Sequence, residues 1–453
     1  MSALLSKNLR VDPIRVIAGA GARLYDDQGN EYLDSCGGVA VSTLGHDCPG
    51  IAEAMADQIG RIAWAHAGTF TTDVADELAE HLVSRSGGLA YAQFLSGGSE
   101  TMELAIKTAY RYHWERGDVG RQIFVARRQN YHGSTFGALA ISGNDQRRSI
   151  FEPLLPYGTF VAPCYAYRDQ RPTETDADYV RRLASELDEL IVELGPETVA
   201  AFVAETVVGS SSGAVPPVDG YFRAMREVCD RHGVLLVLDE IMAGLGRTGR
   251  YFAYHDDDVV PDIAVVGKGL AAGYQPIAAM LVGAHVRDRL ADGSGVIRNG
   301  QTHVNHPVAA AAALVVQRAI AERDLLTQVV VRGRQLRARL EELMATTPYV
   351  GDVRGRGLFL GVELVADQTS KAPLPEELDF VMVPGVGFDR TGGRMGNGQG
   401  YYDRLLQSVR LNCKLVAPCY ESQLMDEIAM GPHDVYMDMV VTESQVYHGK
   451  GRG

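Results

Sequence analysis

The chain has 453 residues, enough for two or three domains with a sizeable core, and its 46% hydrophobic and 22% charged content is that of a soluble globular protein. A net charge of −14 argues against general binding to nucleic acid or to an anionic membrane, and no apolar run reads as a membrane span. Six scattered cysteines without a C-x-x-C pair, and a start without a signal peptide's long apolar core, lead us to expect a cytoplasmic protein with no disulfide framework and no metal site.

Residues 20–34 alternate around Asp26-Asp27-Gln28-Gly29-Asn30 and read as a β-hairpin. Helices are predicted over Ile51 to Ile62 and Asp73 to Val83. A strand follows at Tyr91 to Leu95 and a helix at Glu100 to Trp114. Further strands are predicted at Gln122 to Ala126, Val199 to Glu205, Val234 to Leu238 and Ile263 to Val266, and segment 172–190 has helical spacing. Short strands rich in Val, Ile, Leu and Ala, with helices between them, predict an α/β fold with a mostly parallel sheet covered on both faces. Pro307 to Met344 reads as a long helical connector, first alanine-rich and then arginine-rich. Val350 to Val365 reads as strands of a second, smaller domain, and 366–377 as a loop.

Four local features carry chemistry when taken together. Gly97-Gly98-Ser99, ahead of a helical run from Glu100, offers backbone N–H groups and a hydroxyl to a phosphate. Asp239 ends the apolar run Val234 to Leu238 and is placed to keep a ring nitrogen protonated, so that the ring acts as an electron sink. Lys268 follows the strand Ile263 to Val266 and supplies an amine that can form an imine with an aldehyde, then act as base and acid. Tyr131, followed by His132 and Gly133, offers a flat ring as a cover. Singly, each has an ordinary structural reading: a solvated strand end for Lys268, a helix cap for Asp239 or the Gly-Gly-Ser turn, a core aromatic for Tyr131. As a set they are the parts needed to hold pyridoxal phosphate. Glu240 reads as a structural hydrogen-bonding group.

In order and spacing, residues 1 to about 375 resemble the class III, fold-type I pyridoxal-phosphate aminotransferases. The matching stretches are Phe94-Leu95-Ser96-Gly97-Gly98-Ser99-Glu100 through Lys107, Tyr131-His132-Gly133, Leu238-Asp239-Glu240-Ile241 through Arg247-Thr248-Gly249, and Pro261-Asp262 through Lys268-Gly269-Leu270 to Pro276. The resemblance implies a fold-type I large domain in which Lys268 carries the Schiff base and Asp239 pairs with the ring nitrogen. Gly98 and Ser99 would hold the phosphate, Tyr131 stack on the ring, Ile241 pack on its other face, and Glu205 stand near the site. Thr302, in Gly300-Gln301-Thr302-His303, matches a threonine that reaches the phosphate of a neighbouring subunit, which implies a homodimer. Met242 replaces a glutamine that some members carry. Trp64 and His66 lie either in the substrate pocket or in ordinary packing. The implied reaction moves an amino group from an amine or ω-amino acid donor to a 2-oxo acid acceptor such as pyruvate.

From about Leu378 onward the sequence changes character. Asp379-Phe380-Val381-Met382-Val383-Pro384-Gly385 and Gly393-Arg394-Met395-Gly396-Asn397-Gly398-Gln399-Gly400-Tyr401-Tyr402-Asp403-Arg404 resemble the C-terminal half of 5-formyltetrahydrofolate cyclo-ligase. In that family Gly396, Gly398 and Gly400 would form a loop gripping ATP, with Arg394 and Asp403 close by, but the family's N-terminal half is missing. The expected organisation is an N-terminal segment 1–50, a cofactor-binding large domain 51–320, a truncated small domain 321–377 and a foreign α/β segment 378–453. Three functional readings follow: an aminotransferase impaired by its replaced C-terminus, an ATP-dependent cyclo-ligase lacking half its fold, or a non-catalytic chimera. In this chimera Phe359 to Val365 should lack strand partners, and Phe380, Val381, Val383 and Phe388 should lack a matched surface.

Overall fold

The apolar runs at Val199–Glu205, Leu235–Asp239 and Ile263–Val266 form strands buried along their whole length, as strands covered on both faces must be. The computed structural model describes all residues except 1, 2, 6, 8, 10–12, 36, 157, 374–379, 384, 396–401, 403–405, 407, 408, 410–412, 432 and 453. It divides into two compact units, one of Asp34–Glu341 with Val353–Val362, the other of Met1–Leu33, Glu342–Asp352 and Glu363–Gly453. No helix among the described residues is long and apolar enough to cross a membrane.

The hairpin predicted at 20–34 is a three-stranded antiparallel sheet of β1 (Val16–Ala20), β2 (Arg23–Asp26) and β3 (Glu31–Leu33). Asp26 turns it: its carboxylate accepts the N–H groups of Gln28 at 2.9 Å and Asn30 at 2.8 Å.

The larger unit is built on a seven-stranded sheet. Its strands are β4 (Tyr91–Leu95), β5 (Ile123–Arg127), β6 (Thr159–Val161), β7 (Val199–Glu205), β8 (Leu235–Asp239), β9 (Ile263–Val266) and β10 (Ala278–Val282), in the order β4-β10-β9-β8-β7-β5-β6. β10 is antiparallel to both neighbours and the other pairings are parallel. Alternation along each strand feeds two separate cores: Leu236, Leu238, Ala264 and Val266 join one, while Leu235, Val237, Ile263 and Val265 join the other. Two strands of this sheet have no counterpart in the sequence expectations. β6 has only three residues, and β10 is Ala-Ala-Met-Leu-Val directly after Pro276 and Ile277. The expected single connector is two helices, Pro307–Glu322 and Leu325–Thr346, broken where Asp324 takes a left-handed φ of 48°.

The chain then enters β11 (Val350–Arg356), β12 (Phe359–Asp367) and β13 (Ala372–Pro373). The expectation that Phe359 to Val365 lacks partners is not met. β12 is the central strand of this sheet, and the short β13 takes its outer edge through Val365↔Pro373 and Asp367↔Ala372.

Beyond residue 380 the smaller unit has a sheet of β14 (Phe380–Met382), β17 (Lys414–Pro418), β19 (Met439–Val441) and β20 (Val446–His448). A second sheet holds β15 (Gly387–Asp389), β16 (Arg394–Met395) and β18 (Leu424–Met425). Val383, Phe388, Leu415, Ala417, Met437 and Val440 bury one another here, and Val381 packs against them. Of the faces expected to lack a matched surface, Val381, Val383 and Phe388 find one within residues 381–440, and the Phe380 side chain lies outside the described residues. Asp389 ties the loop together, accepting the N–H groups of Thr391 at 2.8 Å, Gly393 at 2.9 Å and Ile428 at 2.9 Å. Phe388→Ala should lower the opening free energy of this core by about 3–5 kcal/mol. Hydrogen exchange should quicken across β15, β17 and β19 and stay unchanged in β7 to β9. Uniform protection throughout the variant would show that Phe388 anchors nothing.

Candidate active site

Because β10 runs antiparallel to both β4 and β9, β4 ends at the same sheet edge as β5, β7, β8 and β9. Ligand crevices in open α/β sheets lie outside that carboxyl edge. Parallel register puts Glu205 beside Asp239 and Asp239 beside Val265, and Lys268 follows β9 closely.

At the end of β4, Gly97 precedes the helix Gly98–Glu115, and among the described residues no side chain caps that terminus. Its first-turn amides face outward with the positive end of the helix dipole. The Ser99 hydroxyl accepts the Ser134 N–H at 3.0 Å and keeps its own hydrogen to donate. A Cβ at 98 would meet Ile241 Cδ1 at 2.7 Å, so a larger residue there would displace the Ile241 side chain.

At the end of β8, Asp239 is buried and paired. Its Oδ2 lies 2.8 Å from His132 Nδ1, and its Oδ1 accepts the Ile241 N–H at 2.9 Å. Glu205, at the end of β7, accepts the N–H groups of Tyr131 and Gly209, both at 3.0 Å. Burial, and then the Asp239 charge, raises the Glu205 carboxyl above its ordinary range. The Tyr131 ring carries the Arg147 guanidinium 4.3 Å from its centroid. Glu240 has the structural role expected of it. It accepts N–H groups from Ala253 at 2.8 Å and Tyr254 at 3.0 Å, and burial pushes its carboxyl up to about 7.

Lys268 has a φ of 41°, uncommon for a residue with a Cβ and a mark of local strain. Its Nζ donates to the Val39 carbonyl at 3.0 Å. Burial, and then the Arg247 charge, holds this amine below its ordinary value, with Asp239 and Glu205 opposing. Arg247 donates to the next carbonyl, Ala40 O at 2.6 Å, and to Met242 O at 2.7 Å. Two cations thus grip consecutive carbonyls of one loop.

Gly98, Ser99, Tyr131, Glu205, Asp239, Ile241 and Lys268 therefore meet at one edge. Among the described residues no hydrogen bond joins Thr302 to that group; its carbonyl accepts the Trp64 indole N–H at 3.1 Å. Trp64 and His66 meet edge to face at 6.1 Å. Arg394 is buried in β16, its guanidinium 5.6 Å from the Tyr402 ring centroid. Gly396, Gly398, Gly400 and Asp403 lie outside the described residues. Sequence reasoning gave no role to Asn130, Ser134 or Arg247. The Asn130-x-His132 spacing and the arginine within Gly244-Leu245-Gly246-Arg247-Thr248-Gly249 were the signals available.

Residues 6–392 match the family described as Aminotransferase class-III. The chain belongs to the class III aminotransferases. An uncharacterized aminotransferase of Bacillus subtilis, YodT, is 39% identical over 358 residues, covering 79% of this chain and 80% of its own. The hypotaurine/taurine–pyruvate aminotransferase of Paracoccus denitrificans is 34% identical, covering 81% of this chain and 80% of its own. The crystal structure of the omega transaminase from Pseudomonas jessenii in complex with PMP superposes with a TM-score of 0.76 at 33% identity, covering 80% of each chain. Residues 361–443 also match the 5-formyltetrahydrofolate cyclo-ligase family, so the two matches overlap over 361–392.

Class III aminotransferases depend on pyridoxal phosphate, and the residues present fit it. The uncapped helix terminus and the Ser99 hydroxyl suit a phosphate, the buried Asp239 a ring nitrogen, and the half-buried Lys268 amine an aldehyde.

Proposed function

We propose that this aminotransferase takes the amino group of an amine or ω-amino acid and delivers it to a 2-oxo acid such as pyruvate. One observation carries the reading: a lysine amine held below its ordinary pKa shares a strand edge with a buried Asp239–His132 pair and an uncapped helix terminus at Gly98. The relative named for taurine with pyruvate, and the similar structures named omega transaminases, support this donor and acceptor class.

Pyridoxal phosphate supplies an aldehyde to receive amines and a ring to draw off electrons. In our reading Gly98 and Ser99 would bind its phosphate, Tyr131 would cover one ring face and Ile241 the other, and Asp239 would hold the ring-nitrogen proton. Glu205 fixes the loop that carries Tyr131. Lys268 would hold the aldehyde and, once an incoming amine has displaced it, its freed amine would take a proton as base and return it as acid. Thr302 serves the phosphate of a neighbouring subunit in a cytoplasmic homodimer. We also propose the organisation 1–50, 51–320, 321–377 and 378–453, with the last segment a chimeric addition that leaves the transamination site to the large domain and brings no cyclo-ligase activity.

The experiment is borohydride reduction of the cofactor-loaded protein followed by peptide mapping. A pyridoxyl label on Lys268 is expected. A label on another lysine, or none in folded protein, refutes the assignment.

A further inference from the structure

Asn130 is fully buried, and the neighbours it organises, His132, Ser142 and Asp239, are almost as deep. The Gly143 N–H meets the Asn130 side chain at 3.0 Å. A backbone N–H only donates, so the atom it meets is the amide oxygen. That fixes the orientation of the whole amide and turns its NH₂ toward His132 Nε2, 2.7 Å away. An amide NH₂ also only donates, so Nε2 must accept and carries no hydrogen. The ring hydrogen then sits on Nδ1, which faces Asp239 Oδ2 at 2.8 Å. The backbone beneath is fixed too: the His132 N–H reaches Ser142 Oγ at 2.8 Å, whose hydroxyl donates to Ala138 O at 2.8 Å.

We propose that Asn130 is a positioning residue that selects the Nδ1–H tautomer of His132, so that the imidazole presents a hydrogen, never a lone pair, to Asp239. The proposal rests on the pyridoxal-phosphate reading for its purpose, though not for its geometry. With Nδ1–H on one oxygen and the Ile241 N–H on the other, Asp239 stands as an acceptor on both sides. That is the form able to hold a proton on a ring nitrogen. In the opposite tautomer a lone pair would face the carboxylate, and the pair would draw the proton onto Asp239 instead.

The test is nitrogen NMR of cofactor-free protein labelled with [¹⁵N]histidine, with His132 assigned through His132→Gln. In the parent, Nε2 is expected to be pyridine-like and Nδ1 pyrrole-like. Asn130→Asp keeps the acceptor for Gly143 and nearly the same shape, but offers an acceptor to Nε2. In that variant Nε2 should become pyrrole-like. A pyrrole-like Nε2 in the parent overturns the proposal even if the variant does not fold. Unchanged His132 signals in folded Asn130→Asp overturn it as well. If the borohydride label instead misses Lys268, the cofactor reading fails while the tautomer measurement still stands.

Discussion

Lys268→Ala should abolish borohydride labelling and reduce transamination by a factor on the order of 10⁴ or more, while leaving the protein folded. Positioned proton transfer alone contributes about 10²–10⁴-fold, and this residue also provides the covalent attachment. The parent offers a second check. The attacking species is the neutral amine, and burial with Arg247 nearby holds the Lys268 amine below its ordinary 10.5. Lowering an amine pKa enlarges its neutral fraction at every pH below that value, so the pH profile of cofactor capture should turn over below 10.5. Stopped-flow absorbance during reconstitution measures it. Turnover in Lys268→Ala within tenfold of the parent would mean that another base moves the proton.

Asp239→Ala is expected to retain weakened cofactor binding, because Ser99 and the helix terminus are untouched, and to lose about 10²–10³-fold in the single-turnover half-reaction. A ring nitrogen without a carboxylate partner gives up its proton and withdraws electrons poorly. The variant should also be less stable, since the His132 Nδ1–H, now 2.8 Å from Asp239 Oδ2, would be left buried without an acceptor. Single-turnover kinetics with a saturating amine, beside thermal unfolding of the cofactor-free protein, separate the two effects. A half-reaction close to the parent rate would remove Asp239 from the chemistry.

The cofactor-facing residues were legible in sequence because each follows directly from a local pattern. A buried run ending in Asp239, a strand closing just before Lys268 and a glycine turn opening a helix at Gly98 each fix where a side chain emerges. What supports them was not legible. Asn130 acts through Gly143 and His132, and Arg247 through the Ala40 carbonyl 207 positions away, so only tertiary register brings these groups together. β10 escaped notice because Ala278 and Ala279 carry little strand preference, and burial between two strands decides its state. The C-terminal core was misjudged for a related reason. Val383, Phe388, Leu415 and Val440 come from three separate strands and the turn after β14, and the reading in sequence order did not show that they would meet.

The pairing of β4 has a consequence for how the site is made. Phe94 donates its N–H to Asn305 Oδ1 at 2.9 Å across 211 positions of sequence, and its carbonyl accepts the Asn305 N–H at 3.0 Å. The strand that launches the Gly98 helix is therefore locked by residues synthesised long after it. On the ribosome, β4 and its helix wait as unsatisfied elements until β10 and Asn305 emerge, and closing so long a loop is slow. The phosphate cradle is the first part of the active site to be translated and among the last to be immobilised.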